Sequence, residues 1–365
     1  MQANSRFFEL NDDFREPFAR DRDRILHSQN FRKLEYKTQV FLNQEGDFFR
    51  TRLTHSLEVS QIARAITKEL GLQESLAEAI ALAHDLGHTP FGHVGGDTLD
   101  ALLKEKGHEN GFEHNFQSFR VVSKLEKRYK QFDGLNLTYA TLEGILKHSY
   151  PYKKSFLPDA ITDIFQLDLH PSIEAMIVDR ADEIAYISHD IQDGITAGLI
   201  SFDTLKESQL ICDVLKMVEN EGVSAVDDSD IFLYRFSSHF INHLVYSLID
   251  YSKENIQKAI LPLNATQTLP VGFDKPLETE IKKLKKILFQ NLYEHTAVAR
   301  KMYAGQECIK GLFRAFYSNI NLLPAKEKKA AKSGRKHRVI ADYIASLSDR
   351  YALKLYNELS GVFLN

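Results

Sequence analysis

A ten-residue segment, His84 to His93, concentrates side chains that can do chemistry. It places three imidazoles and a carboxylate around two glycines, in the order His84-Asp85-Leu86-Gly87-His88-Thr89-Pro90-Phe91-Gly92-His93. Neutral imidazole and ionised carboxylate are both metal ligands, and a site that mixes them suits divalent cations from magnesium and manganese through iron to zinc. The segment therefore predicts a metal site.

Two other segments offer the further ligands that a metal needs. His55 precedes a run of apolar residues at helical spacing and is expected near the first turn of that helix. Asp182 lies in a predicted buried helix over 173–191, together with Tyr186 and Asp190. These three are spaced i, i+4 and i+8, which places them along one helix face over roughly 12 Å.

The remaining ligands belong to a helix predicted over 75–86. Its last turn presents His84 and Asp85, and Gly87 is expected to end it. Taken singly, His55 would more often be a capped or core histidine than a ligand, and Asp182 alone could be a buried salt-bridge partner of Arg180 or Arg50. Taken together the metal interpretation is favoured, because buried carboxylates are costly without a cation.

These ligands and their surroundings resemble the HD-domain phosphohydrolases, and among them the deoxynucleoside triphosphate (dNTP) triphosphohydrolases, or dGTPase-like proteins. The family signature is His, then His-Asp, then Asp, which His55, His84, Asp85 and Asp182 match. The resemblance extends from about Arg22 to Leu353. The matching segments are 37–41, 51–59, 87–93, 112–118, 134–138, 143–148, 181–186, 189–194, 337–340 and 348–352.

The resemblance implies hydrolysis of a dNTP to a deoxynucleoside and inorganic triphosphate, by attack of water on the α-phosphorus. A divalent cation of manganese, magnesium, iron or zinc would polarise the α-phosphate and lower the pKa of the attacking water. His93 is the implied proton donor to the departing sugar oxygen, since histidine titrates where such a donor is useful. His88 and His114 are implied to hold phosphate or to position the nucleophile.

One departure from the family concerns the residue three positions after His93. The family usually has an acidic side chain there, which orients the imidazole and raises its pKa, whereas this chain has Gly96. Its absence weakens catalysis or passes the role to a neighbour. The candidates for that role are Asp97, Glu109 and Glu113.

The resemblance also implies residues that recognise the sugar. Tyr186 would pack against the deoxyribose where a 2′-hydroxyl would clash, Asp190 would accept a hydrogen bond from the 3′-hydroxyl, and Gln39 would help to hold the sugar. A site that hydrogen-bonds a particular hydroxyl rejects analogues that lack it. The alternative for Tyr186 is a core aromatic residue.

A triphosphate with about four negative charges needs cationic partners, which arginine supplies through paired hydrogen bonds. Arg52, Lys147 and Arg50 lie beside candidate site residues in the sequence, and Arg52 is the best of them. Solvated surface positions are the alternative for all three.

Composition is that of a cytoplasmic protein without a membrane span. The 365 residues hold no apolar run of about 18 or more, and the N-terminus has no apolar signal region. Cys212 and Cys308 have no paired spacing, which favours a reducing compartment. A net charge of −4 predicts no broad nucleic-acid affinity.

A run of basic residues over 326–338 stands out against the small net charge of the whole chain. Such a run is usually a solvated, mobile loop. Its functional interpretation is a surface for an effector nucleotide or single-stranded nucleic acid, because related enzymes bind such ligands between subunits and the lysine and arginine density suits them.

Helical periodicity dominates the chain, and strand signals are scarce, so an all-α fold is predicted. An N-terminal segment (1–21), an HD-domain catalytic core (22–198) and a C-terminal helical portion packed on that core (199–365) form one compact unit. Helices are expected over 116–129, 202–218, 232–251, 277–302 and 339–359, and exposed loops over 222–230 and 261–277. The resemblance further implies a symmetric oligomer such as a hexamer.

Two other functional classes remain open. One is another HD phosphohydrolase that acts on nucleoside monophosphates or on cyclic or signalling nucleotides. The other is a regulatory or nucleic-acid-binding protein that keeps the metal but has weak catalysis, which Gly96 and the basic run suggest.

Overall fold

The computed structural model describes residues 2–9, 14–39, 50–152, 157–224 and 229–361. The chain is 69% helical, and the described residues contain no β-strand, so the all-α prediction is confirmed. The α-helices are α1 (Pro17–Leu26), α2 (Gln29–Lys33), α3 (Arg52–Glu69), α4 (Glu74–Ala83), α5 (Gly92–Glu105), α6 (His114–Arg120), α7 (Tyr139–Leu146), α8 (Asp159–Phe165), α9 (Ile173–Thr196), α10 (Phe202–Leu205), α11 (Gln209–Asn220), α12 (Ser229–Lys258), α13 (Lys275–Leu288), α14 (Thr296–Ser318), α15 (Ala325–Lys332), α16 (Lys336–Ala345) and α17 (Asp349–Ser360).

The start of α3 follows from its sequence. The Thr54 N–H donates to the Thr51 hydroxyl at 3.2 Å, and the Thr51 N–H donates to the Thr54 hydroxyl at 3.1 Å. This reciprocal pair satisfies two N–H groups that a helix start otherwise leaves without partners. His55 therefore lies in the first turn, as expected.

The end of α4 differs from the prediction. The helix ends at Ala83 rather than Leu86, so His84 is the capping residue and Asp85 lies in the turn that follows. Gly87 does not act as a left-handed stop. A Cβ there would lie 2.1 Å from the backbone nitrogen of Ser118, so its role is to let the turn approach α6 closely.

Helix α9 is the central element of the larger core cluster. Five of its six isoleucines are buried there together with apolar residues of α3, α4 and α12. Asp182, Tyr186 and Asp190 share the opposite face, as their spacing predicts, and all three line a cavity.

Four predicted helices are interrupted, and that over 202–218 is divided between α10 and α11. The first ends at Arg120, where a π-helical turn over Val121–Leu125 follows. A second π-helical turn, Phe289–Tyr293, separates α13 from α14. The last predicted helix is divided between α16 and α17. Periodicity alone did not resolve these breaks, because apolar residues continue at helical spacing through them.

The basic run and the predicted loop over 261–277 also need correction. Residues 326–338 lie largely in α15 and α16 rather than in a loop, and Arg338 donates to Gln117 and Asp342. In the segment 261–277, Val271 and Phe273 are buried in the core. The predicted loop 222–230 falls partly on residues 225–228, outside the described part of the chain. None of the helices within the described ranges has the length and apolarity that crossing a membrane requires.

Asp349 ties the C-terminal helices to the segments around the metal ligands. Its carboxylate accepts from the backbone N–H of Thr38 at 2.9 Å and of Phe91 at 3.1 Å. The buried ammonium of Lys37 donates to the carbonyls of His88 and Ala345 at 2.5 and 2.8 Å. These bonds hold the turn after α4 against α16 and α17.

Candidate active site

A cavity of about 640 Å³ lies beside the predicted metal ligands. Its wall combines α3, α5 and α9 with the π-helical turn at Phe289–Tyr293 and the start of α14. Ten residues singled out in the sequence line it, namely Gln39, Arg52, His55, Asp85, His88, His93, His114, Asp182, Tyr186 and Asp190.

Three of the four predicted metal ligands converge. One ligand atom each of His55, His84 and Asp182 lies within 4.8 Å of the others. The His55 Nε2 is 2.8 Å and the His84 Nε2 3.7 Å from the same oxygen, Oδ1 of Asp182. Two ligand atoms bound at right angles to one cation lie about 3 Å apart, so this spacing suits a shared ion.

His84 shows most clearly that the residues fit a metal. Its Nδ1 donates to the carbonyl of Ala81 at 2.6 Å, which leaves the lone pair on Nε2. That Nε2 is buried and has no hydrogen-bond partner among the described residues. Burial lowers the pKa of His84 and favours the neutral form that binds metals. An unpartnered buried lone pair is costly unless a cation fills the space before it.

Asp85 lies next to this group rather than within it. Its Oδ1 is 3.4 Å from the His84 Nε2 and 3.2 Å from the His88 Nε2, and its Oδ2 accepts from Arg52 at 2.7 Å. Burial opposes ionisation, but the charge of Arg52 outweighs it and holds the pKa of Asp85 well below its usual value. One carboxylate oxygen is thus directed toward the centre while the other is held by arginine.

His148 is a site residue that the sequence interpretation missed. Its Nδ1 is 2.5 Å from Asp179, and its Nε2 is 3.4 Å from the Asp182 Oδ2. Burial disfavours the imidazolium, yet the two carboxylates outweigh burial and raise the pKa of His148 well above its usual value. A charged His148 stabilises the ionised Asp182 at Oδ2, whereas His55 faces Oδ1. The sequence did offer a signal for His148, because it lies in the segment 143–148, which resembles the family.

Lys147, a candidate cationic partner of the triphosphate in the sequence, does not reach the cavity. Its ammonium is fully buried and pairs with Glu143 at 2.7 Å, and the described residues that line the cavity do not include it. It follows Leu146, the last residue of α7. His148 faces the cavity and Lys147 does not.

The salt-bridge alternative for Asp182 also fails. Arg180 pairs with Glu183 and Glu278, each at 2.6 Å. Arg50 pairs with Glu58 at 3.2 Å and with Asp193 at 2.8 Å. Both arginines therefore have other carboxylates, and the described contacts of Asp182 are with imidazoles.

A second group of imidazoles faces the cavity. Ligand atoms of His88, His93 and His114 lie within 4.8 Å of one another, and the His88 and His114 ring centroids are 4.2 Å apart. Burial lowers the pKa of all three, that of His88 far below its usual value and that of His114 to about 3. The positive charge of Arg52 adds to this effect at each of them. In the absence of an anion the group is therefore neutral.

The acidic partner sought for His93 is not found at hydrogen-bonding distance within the described ranges. Asp97 lies one turn further along α5 and raises the pKa of His93 only as a minor cause. Glu113 instead caps α6 by accepting from the N–H groups of Asn115 and Phe116, and lies 3.5 Å from His114. The described residues that line the cavity include neither Asp97 nor Glu109.

The predicted sugar-binding residues occupy the other end of the cavity. Burial raises the pKa of Asp190 to about 7, and the hydroxyl of Tyr293 donates to its Oδ2. Tyr186 is partly buried, packs against the core and also lines the cavity, which is compatible both with a core aromatic residue and with a contact to the sugar. The Gln39 side-chain oxygen is buried and lacks a hydrogen-bond partner in the described part of the chain. Tyr293 was not foreseen, because it comes from the remote π-helical turn.

A His, His-Asp, Asp centre in an all-helical fold defines the metal-dependent HD phosphohydrolases. The HD domain family matches residues 52–187, and the phosphohydrolase-associated domain matches residues 271–358. A deoxyguanosinetriphosphate triphosphohydrolase-like protein of Wolinella succinogenes is 59% identical and covers 98% of this chain and 99% of its own length. Proteins of the same description from Geobacter metallireducens and Geobacter sulfurreducens are 45% and 43% identical, over 95% and 96% of this chain and 89% and 90% of theirs. The chain belongs to the family of deoxyguanosinetriphosphate triphosphohydrolase-like proteins.

Proposed function

We propose that this protein hydrolyses a dNTP, with dGTP the first candidate, to a deoxynucleoside and inorganic triphosphate. The observation that carries the proposal is the unpartnered His84 Nε2 beside His55 and Asp182, at the edge of a cavity large enough for a nucleotide. The similarity to deoxyguanosinetriphosphate triphosphohydrolase-like proteins supports dGTP as the substrate to test first.

His55, His84, Asp85 and Asp182 would hold the metal. When bound, a divalent cation supplies Lewis acidity at the α-phosphate and lowers the pKa of the attacking water. Two imidazoles and two carboxylates accept manganese, magnesium, iron or zinc, so the identity of the metal stays open.

The chain's own residues supply the rest of the chemistry. Arg52 lies at the cavity wall with one nitrogen on Asp85, in position to bind a phosphate oxygen with another. His88 and His114 orient the phosphate or the water. As the bond from water to the α-phosphorus forms and the bond to the 5′-oxygen breaks, His93, charged once the triphosphate is bound, would give its proton to that oxygen, and the proton that the water loses would pass to solvent.

At the sugar end, Asp190 accepts from the 3′-hydroxyl, Gln39 hydrogen-bonds the sugar, and Tyr186 closes the space where a 2′-hydroxyl would sit. Buried groups that need a partner are the means by which a site discriminates between hydroxylated analogues. The unpartnered oxygen of Gln39 is such a group.

The test is product identification with purified protein, dGTP and Mn²⁺ or Mg²⁺. Tripolyphosphate and deoxyguanosine are the expected products, and Asp182→Ala should abolish their formation. Asp163→Ala, an exposed carboxylate on α8, is the matched control and should retain activity. Release of pyrophosphate or orthophosphate would point to a different HD phosphohydrolase, and a panel of mono-, cyclic and signalling nucleotides would identify it.

The weakly catalytic regulator is the second candidate, supported by Gly96 and by the basic residues of α15 and α16. It predicts tight binding of single-stranded nucleic acid with negligible turnover of any dNTP. A symmetric oligomer, an effector site at 326–338 and a cytoplasmic location remain predictions.

A further inference from the structure

Glu58, His189 and His55 form a row of hydrogen-bonded side chains behind the metal centre. The His189 Nε2 hydrogen-bonds the Glu58 carboxylate, and the His189 Nδ1 lies 3.3 Å from the His55 Nδ1. On its other side, the His55 Nε2 faces the Asp182 Oδ1 at 2.8 Å. The row runs from α3 through α9 and back to α3.

Hydrogen positions along this row follow from the donor and acceptor inventory. The Glu58 carboxylate also accepts from Arg50 at 3.2 Å, and an ionised carboxylate only accepts, so the hydrogen of a neutral His189 lies on Nε2. The His189 Nδ1 then carries a lone pair. Because a bond between two Nδ1 atoms needs one hydrogen, His55 must supply it, which leaves its own lone pair on Nε2. That lone pair faces the Asp182 Oδ1 at 2.8 Å, and since an ionised carboxylate only accepts, a cation shared by the two atoms has to take the place of a hydrogen there.

We propose that Glu58 and His189 are positioning residues that set the tautomer of His55 and so direct its Nε2 lone pair at the metal. The inference deepens the function proposed above and rests on its metal centre. Neither residue touches the metal. Partners of this kind fix the orientation and raise the basicity of a ligating histidine, and their loss typically costs about 10- to 100-fold in metal affinity.

His84 and His55 both carry a hydrogen on Nδ1 and a lone pair on Nε2, but different acceptors hold that hydrogen. The His84 Nδ1 donates to the carbonyl of Ala81 in its own helix. His55, in the first turn of α3, instead donates to His189, whose side chain is 2% exposed. The His189 Nδ1 accepts a hydrogen bond only while Glu58 keeps the hydrogen of His189 on Nε2. The Glu58 carboxylate therefore determines the tautomer of His55.

The test uses the full-length chain and Co²⁺ as the probe, with affinity measured against a competing chelator and coordination by visible absorption. Glu58→Met removes the acceptor, so His189 can place its hydrogen on Nδ1 and force that of His55 onto Nε2. We expect the Co²⁺ Kd to rise about 10- to 100-fold. Glu58→Gln keeps a neutral acceptor and should show a smaller rise. Glu69→Met, an exposed position on the same helix, should match the wild type.

A Co²⁺ affinity that falls from wild type to Glu58→Gln to Glu58→Met indicates positioning rather than packing, since both substitutions preserve the length of the side chain. Equal weakening by Gln and Met, or wild-type affinity and spectrum in Glu58→Met, would overturn the inference while leaving the metal centre intact. A wild-type protein that binds no Co²⁺ would overturn both. Should Glu58→Met fail to fold, Glu58→Gln against wild type decides, with unchanged affinity and spectrum counting against the inference.

Discussion

The hydroxyl of Tyr293 donates a hydrogen bond of 2.5 Å to the Oδ2 of Asp190, joining the π-helical turn before α14 to the middle of α9. Departures from α-helical geometry of this kind are frequent at functional sites. The bond leaves the other oxygen of Asp190 for a ligand and opposes the effect of burial on its pKa. The C-terminal helices therefore complete the end of the cavity that we assign to the sugar.

Tyr293→Phe should weaken recognition of the 3′-hydroxyl. Without the phenolic donor, Asp190 is less firmly oriented and more readily protonated, so kcat/KM for dGTP should fall about tenfold, a loss of roughly 1.4 kcal/mol in transition-state binding. The 2′,3′-dideoxy analogue, which lacks that hydroxyl, should lose little. Tyr246→Phe, an exposed tyrosine on α12, is the control. An equal loss for both substrates would argue against this role for Asp190.

His93→Ala should lower kcat by on the order of a hundredfold or more, because the leaving oxygen loses its proton donor. The wild-type kcat should fall on the alkaline side with a histidine-like apparent pKa, and the variant should lose that limb. Undiminished turnover by the variant would refute the assignment.

The pKa of His93 should also respond to nucleotide. Burial and the charge of Arg52 lower it in the ligand-free protein, so the imidazole should titrate below its ordinary value of about 6.5. A bound triphosphate, with about four negative charges, favours the imidazolium and should raise the pKa. NMR titration of the His93 ring with and without a non-hydrolysable dNTP measures both values. A lower pKa in the complex would contradict the proposed role.

Gly96→Glu should raise turnover at alkaline pH. A Cβ at this position meets its nearest described neighbours, Thr89 and Phe112, at 3.8–3.9 Å, which is ordinary contact, so the side chain can be accommodated. A carboxylate three positions after His93 favours the imidazolium and moves the alkaline limb to higher pH. Gly96→Gln has nearly the same shape without the charge and should not shift the limb. Identical pH profiles for the two variants would exclude the electrostatic explanation.

Metal should stabilise the folded protein. A ligand that binds only the native state adds about 2.7 kcal/mol when its free concentration is 100 times its Kd. Chelator-treated wild-type protein should therefore show a rise in Tm when Mn²⁺ is added, and Asp182→Ala should show a much smaller one. The same rise in both proteins would place the binding elsewhere.

Local geometry explains what the sequence determined. The first-turn position of His55 and the i, i+4, i+8 spacing in α9 depend only on regular helix geometry, so the chain alone placed Asp182, Tyr186 and Asp190 on one face. The all-α fold followed from the same periodicity.

Tertiary packing decided the rest. Lys147 and His148 are adjacent residues just beyond α7, and only the packing around that helix end determines which of them reaches the cavity. Tyr293 is separated from Asp190 by about a hundred residues, and Asp349 acts on Thr38 and Phe91 from the far end of the chain. Such contacts form because remote helices pack together, and no spacing within a single helix encodes them.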